Sequence, residues 1–522
     1  MSRRAALLGL VLLTGCRTVP VTPAAVLARV EPGGYVVGEP VALGPATVFD
    51  REDLVWDAKL SPDGRRVAFA RLGLHSYSLS VHEREGAKVS DTAVTDVEFD
   101  VEALEFSPAG KAVATVSRDG AVRVFDGSSG QLLAAWLTDE PLVSVAFDRS
   151  GAWLAVGSAS GLITITRWPT LAFVAEVRGH ADEVRGLAFG PDGTLYSGSW
   201  DQRVSAWTLG PTLEGDRTVR AHVERKAGAT LVRAVVDGKV SASFALDTRL
   251  PAVVVRPALA QALGLSPSEE TVSIPTALGV QLAHVAKGHS ISIKGLTFDG
   301  LEVAVCEACV PAEAQGVLGG PFLSGVDLAF DDATHEVQLT AKGPVTEGER
   351  RRLTLARSFS FRAPVNDLSL DAKGTVLGLA FSETKARRTR EIYEREKKAL
   401  VEPDRDWDCG ARVDAWTGAV LQRVHGHHGV VATAGISPDG KTLATGGWDK
   451  RVVVHAGAEL VDARAGWAVR RVRFSGDGLR LVVAAWTRVN VLGDHQSDPA
   501  AWTVELVYEP ETTGAPKVPG TY

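Results

Sequence analysis

The sequence predicts an all-β chain, a seven-bladed propeller interrupted by a small β-barrel domain. Three observations carry this expectation. A four-residue turn recurs seven times between strand-like runs, at Ser61-Pro-Asp-Gly64, Ser107-Pro-Ala-Gly110, Asp148-Arg-Ser-Gly151, Gly190-Pro-Asp-Gly193, Asp371-Ala-Lys-Gly374, Ser437-Pro-Asp-Gly440 and Ser475-Gly-Asp-Gly478. Successive turns start 46, 41, 42, 181, 66 and 38 residues apart, and a four-stranded blade takes roughly 40–45 residues. The two long intervals are therefore one blade plus about 140 residues and one blade plus about 25. Pro favours the second position of such a turn, and Gly the left-handed position that ends it. Glycine is abundant at 53 of 522 residues and aromatics make up 7%, as a turn-rich β protein requires.

The chain opens with Arg3 and Arg4, then an apolar run from Ala5 to Leu13 that is too short to span a bilayer, then Leu13-Thr14-Gly15-Cys16. This order resembles the signal and lipobox of bacterial lipoproteins. The resemblance implies a signal peptide over 1–15, lipidation at Cys16 and a linker over 16–35. The expected location is the bacterial cell envelope, exported and lipid-anchored, with inner and outer membrane left open. Several acyl chains on one cysteine would anchor stably, whereas one chain binds only marginally. A net charge of −7 does not suggest nucleic acid, and none is expected as a partner.

Blades one to four are expected over 36–214 and blades five to seven over 347–510, with a tail over 511–522. Blade four carries Gly179-His180 and then Ser197-Gly-Ser-Trp-Asp-Gln-Arg-Val-Ser-Ala-Trp207. With the recurring turns, this motif resembles the WD-repeat family. The resemblance implies a hydrogen-bonded network of His180, Ser197, Asp201 and Trp207, structural rather than catalytic. Blade six keeps His427, Thr445 and Asp449, but His455 stands in place of the tryptophan. In blade two Asp119 is followed by Phe125. The last blade is closed either by Thr503–Tyr508 or by an N-terminal strand near Val36–Val48. Residues 383–408 form a second insertion, whose Glu391/Arg395 and Glu394/Lys398 pairs have helical spacing. It reads as a solvated helix, with a basic docking surface as the other reading.

The large insertion, 215–346, has a different order. Val232–Val236, the turn Asp237-Gly238 and Val240–Leu246 read as a hairpin. Asp247-Thr248 follows, then a short helix over Pro257–Leu265, then strands at Val272–Ile274, Gln281–Ala286, Ser290–Ile293 and Leu301–Val305. Gly316-Val-Leu-Gly-Gly-Pro-Phe-Leu323 and strands at Val326–Phe330 and Val337–Leu339 complete it.

A carboxylate inside so apolar a run is costly unless it is hydrogen-bonded or used. The paired segments around Asp247 and Gly319 resemble bacterial retropepsin-like, single-domain aspartic proteases. The resemblance implies Asp247 at the catalytic position with Thr248 beside it, an apolar-Gly support around Gly319, and a flap hairpin with its tip near Gly279. The chain departs from the family where it matters most: Arg249 stands where Asp-Thr-Gly has glycine, and no Asp-Thr-Gly or Asp-Ser-Gly occurs elsewhere. An aspartic dyad must share one proton between two carboxylates.

Two readings follow. In one, the chain is an envelope scaffold that presents a non-catalytic protease-like domain to a protein or peptide partner. In the other, it is an aspartic endopeptidase, active as a homodimer through Asp247. Cys306 and Cys309 read as a structural disulfide that leaves Cys409 free; no metal site and no cofactor are expected.

Overall fold

The computed structural model describes residues 54–382 and 409–493 apart from short gaps, with strand segments at 17–19, 28–31, 34–35, 46–48 and 503–508. The signal segment 1–15, Cys16, the charged insertion 383–408 and the tail 511–522 lie outside the described residues.

Seven antiparallel blade sheets follow one another along the chain, six of them four-stranded and the sixth blade extended to six strands by Ala28–Glu31 and Gly34–Tyr35. In every blade the recurring turn joins the first strand to the second. Its last glycine sits at positive φ in all seven, from Gly64 at 66° to Gly193 at 82°, a conformation open to glycine at no steric cost. In blade one Gly64 N–H donates to Ser61 O at 2.8 Å, and the Ser61 hydroxyl accepts Arg66 N–H at 2.9 Å. The inner strands are largely buried. Those of blades two and three pack Ala103, Val116, Val145 and Val156 into one shared cluster.

The blade boundaries differ from those expected. Blade one begins at Leu54–Leu60, not at 36. Blade four takes its fourth strand from beyond the large insertion: Arg351–Ser360 pairs along Arg203–Thr212. That strand was expected in the 347–510 half of the propeller. The turns mark only the junction of first and second strands, so counting them does not locate a fourth strand. Blade seven is closed by Thr503–Tyr508, paired with Arg488–Gly493, which decides between the two expected closures. Part of the expected 16–35 linker is strand: Arg17–Val19 pairs with Ala46–Val48, and Ala28–Glu31 with Glu459–Arg464 of blade six. An outer strand presents a row of unpaired backbone groups, and the 28–31 segment uses that row on blade six.

The insertion leaves blade four at Thr212 and returns at Arg351, and these two residues are themselves register partners. Between them an eleven-stranded sheet curls round two apolar clusters. The run Val253–Val255 shows why there are two. Val253 and Val255 enter one cluster and Val254 the other, so this short apolar strand is buried on both faces. The hairpin turn at Asp237-Gly238 has both residues at positive φ, 51° and 64°, as a two-residue hairpin turn requires. The helix runs Pro257–Leu263 and is capped by left-handed Gly264. The expected strands 281–286 and 290–293 merge into one, Gly279–Ile293, bulged around residues 286–291.

Candidate functional site

Asp247 stands at the end of Val240–Leu246, which runs parallel to Gly316–Leu318. Its N–H donates to Leu318 O at 3.2 Å, and Gly320 N–H donates to Leu250 O at 2.7 Å. The loop 247–252 is thus cradled by the segment that follows Leu318. A Cβ at Gly319 would lie 2.0 Å from Ala252 O and 2.7 Å from Leu250 O, so only glycine lets the two backbones approach this closely. Leu250 packs with Ile274 and Ala283 of the hairpin formed by Thr271–Thr276 and Gly279–Ile293. Gly279, the expected tip, is the hairpin's first residue past the turn and sits at φ 112°.

Arg249 closes on the carboxylate from two residues away. Its Nε donates to Asp247 Oδ1 at 2.9 Å, its Nη2 to Oδ2 at 2.8 Å, and its backbone N–H to Oδ1 at 3.0 Å. The side chain of Asp247 is 26% exposed and that of Arg249 87% exposed. The Arg249 hydrogen bonds, above all, hold the Asp247 carboxyl below the usual carboxylate range, and burial opposes this only in part. A bidentate Arg–carboxylate pair is among the stronger polar contacts. It occupies both oxygens that a second carboxylate or a catalytic water would approach. Thr248, expected beside the catalytic group, is exposed, and its hydroxyl has no hydrogen-bond partner among the described residues.

Cys306 and Cys309 are joined by a disulfide, and Cys409 is free and buried. The bridge caps a loop that Arg256 also holds, donating to Ala314 O at 2.8 Å and Pro311 O at 2.9 Å. Among the described residues no three His, Cys, Asp or Glu side chains are grouped to hold a metal ion, and no helix is long and apolar enough to cross a membrane.

The blade networks are internal. His180 Nδ1 lies 2.9 Å from Asp201 Oδ2 and its Nε2 2.7 Å from Ser197 Oγ; Trp207 Nε1 donates to the same hydroxyl at 2.8 Å. In blade six His427 joins Asp449 at 2.9 Å and Thr445 at 2.9 Å. His455, in the tryptophan position, is pushed down to about 4 by burial and by His427. In blade two Arg123 donates to Asp119 at 2.6 Å. His180 and His427 are buried, and each engages both ring nitrogens with partners inside its own blade.

A second network was not foreseen. In five of the seven blades the residue four before the recurring turn is polar and hydrogen-bonds from an inner strand to the next blade. Asp57 accepts Leu104 N–H at 3.0 Å, Ser144 donates to Val184 O at 2.6 Å, and Asp367 accepts Ala434 N–H at 3.1 Å. Thr433 accepts Val472 N–H at 3.1 Å, and Arg471 reaches from blade seven back to blade one, donating to Asp57 at 2.7 Å. The signal was present in the sequence, since Asp57, Ser144, Asp367, Thr433 and Arg471 each stand four residues before a turn.

The comparisons agree with both parts of this architecture. A family model described as "Aspartyl protease" matches residues 232–322, and one described as "WD domain, G-beta repeat" matches 89–126, 171–208 and 418–455. The chain is 28% identical over 112 residues to "Periodic tryptophan protein 2" of Saccharomyces cerevisiae, covering 21% of this chain and 12% of that protein. It is 38% identical over 69 residues to "Guanine nucleotide-exchange factor SEC12" of Rattus norvegicus, covering 13% and 16%. It is 26% identical over 366 residues to "Telomerase protein component 1" of the same species, covering 66% and 12%. The chain therefore spans less than a fifth of the length of each of these relatives.

Proposed function

We propose that this chain is a protein-interaction scaffold in which a WD-repeat propeller carries an aspartic-protease-like domain that does not cleave peptide bonds. Its partner is a protein or peptide, and the chain is held in a bacterial envelope membrane through a lipid on Cys16. The observation that carries the non-catalytic reading is the Arg249 fork on Asp247. Aspartic catalysis needs two carboxylates that share a proton. Here one carboxylate is held ionised by a guanidinium, and the chain supplies no second Asp-Thr-Gly or Asp-Ser-Gly. The loop geometry over Gly319 retains the fold of a half-site without its reacting arrangement.

The test is incubation of the full chain with a mixed peptide library between about pH 3 and 7, with and without pepstatin. No cleavage is expected. Pepstatin-sensitive cleavage that disappears in Asp247→Asn would sink this reading and establish the dimeric endopeptidase instead. The anchor rests on the Leu13–Cys16 motif, and fatty-acid labelling that persists in Cys16→Ser would refute it.

A further inference from the structure

Between the insertion and the outer strands of blades two and three lies a cleft of about 880 Å³. It is lined by neither Asp247 nor the 271–283 hairpin, so it is separate from the protease-like half-site. Three contacts hold its walls together. Ser241 Oγ donates to Leu137 O at 3.2 Å, Lys294 pairs with Glu176 at 2.7 Å, and the Lys294 ammonium lies 5.5 Å from the centre of the Phe173 ring. The cleft therefore exists only because the insertion is docked on the propeller, and its size falls within the usual range of small-molecule sites.

Its two walls differ in chemistry. On the propeller side Trp136, Leu162 and Phe173 give an apolar floor. The charges on that side are already matched, Arg178 with Glu140 at 2.7 Å and Glu176 with Lys294. The opposite wall is the outer face of the insertion sheet. The pairing of Val223 with Val232 buries those two side chains and turns His222 and Arg233 out together on the other face. Arg220 shares that face two residues earlier, across from Gln338. Three basic side chains thus meet on adjacent strands, with Glu336 opposite His222, Asp237 lining the same wall, and Glu224 feeling the charge of Arg233. Arg220 makes no hydrogen bond or ion pair among the described residues, though Asp331 feels its charge. Arg350, which is 4% exposed, packs behind Gly295 without lining the cleft, and its Nη1 donates to Thr218 O at 3.2 Å.

We propose that this cleft binds a small organic anion, a carboxylate or phosphate ester with an apolar body. The anionic group lies against Arg220 and Arg233, and the apolar part lies on Trp136 and Phe173. Guanidinium groups suit both oxyanions because their paired N–H donors match two oxygens at once.

Binding is measured on the full chain by calorimetry, with Trp136 fluorescence as a second signal. The probes are aryl and alkyl carboxylates, the matching phosphate esters, and the neutral alcohols of the same bodies. At least one anionic series should bind saturably, about tenfold or more tighter than its alcohol, and the better arm identifies the headgroup. Arg220→Glu should weaken that binding by about tenfold or more with the thermal transition unchanged. Ser292→Trp, which fills the cleft without altering a charge, should abolish it. The proposal is overturned if no anion binds saturably up to roughly 10 mM. It is equally overturned if alcohols bind as well as anions, or if both variants bind like the unaltered chain.

Discussion

Arg471→Met tests how the ring is closed. Arg471 ties blade seven to blade one and to blade five: its Nε donates to Asp57 Oδ1 at 2.7 Å and its Nη1 to Asp367 Oδ1 at 3.0 Å. Asp57 is fully buried and Asp367 nearly so. Asp367 keeps Arg473, which donates to both of its oxygens at 2.6 and 2.7 Å. Among the described residues Asp57 keeps only hydrogen bonds from the Ala58 and Leu104 amides. The variant therefore leaves a buried carboxylate without its counter-charge, and breaking a buried pair from one side costs about 3–5 kcal/mol.

Adding Asp57→Asn removes the stranded charge but keeps an oxygen for Leu104 N–H, so the double variant should recover more than about 1 kcal/mol of that loss. The assay is urea unfolding of the propeller followed by tryptophan fluorescence. A loss below about 1 kcal/mol, or a double variant no better than the single, would refute the closing role of Arg471. The pH dependence has a defined sign. Burial alone would raise the Asp367 carboxyl, but Arg473 and Arg471 overcome it and hold the group well below the usual carboxylate range. Its contribution is complete above the unfolded value near pH 4 and is lost as the pH falls toward the folded one. In Arg471→Met acid unfolding should begin at higher pH.

Two further outcomes are expected. Because Arg249 lowers the Asp247 pKa, Arg249→Ala should move the midpoint of the Asp247 carboxyl signal upward in an NMR titration; an unmoved midpoint would refute the pairing in solution. Replacing residues 213–350 by a two- to four-residue Gly/Ser turn should leave a cooperatively unfolding β propeller by circular dichroism, because Thr212 and Arg351 are already register partners; loss of cooperativity would show that the insertion is integral to blade four.

The blade count was legible because each turn is a local event, a glycine at positive φ within four residues. The Gly319 support was legible because close backbone approach leaves a fixed residue type. The fourth strand of blade four was not legible. Arg351–Ser360 buries little beyond Leu353 and so shows no strong alternation, and its partner lies across the whole insertion. Thr218–Lys226 was missed for a related reason: it alternates, but the hairpin signal begins only after it. The inter-blade chain through Asp57, Asp367 and Arg471 spans more than 400 residues. Its members could be noticed by position, but their pairing depends on the ring being closed. At Asp247 the neighbour, Arg249, was legible, and the structure shows the guanidinium turned back onto the carboxylate in a two-pronged contact.

The register pair Thr212–Arg351 also bears on how the chain assembles. As an unstructured loop, the intervening segment would make closure of the fourth blade about 3 kcal/mol harder than a short turn would, at about 0.6 kcal/mol per doubling of length. Once folded, the insertion lowers that penalty by holding its two ends together. Thr218 and Thr340 are paired at its own base, so a folded insertion delivers the two halves of blade four already side by side. During synthesis the final strand of that blade emerges only after the insertion, and the insertion then serves as the template that sets the distance at which the ring can be joined.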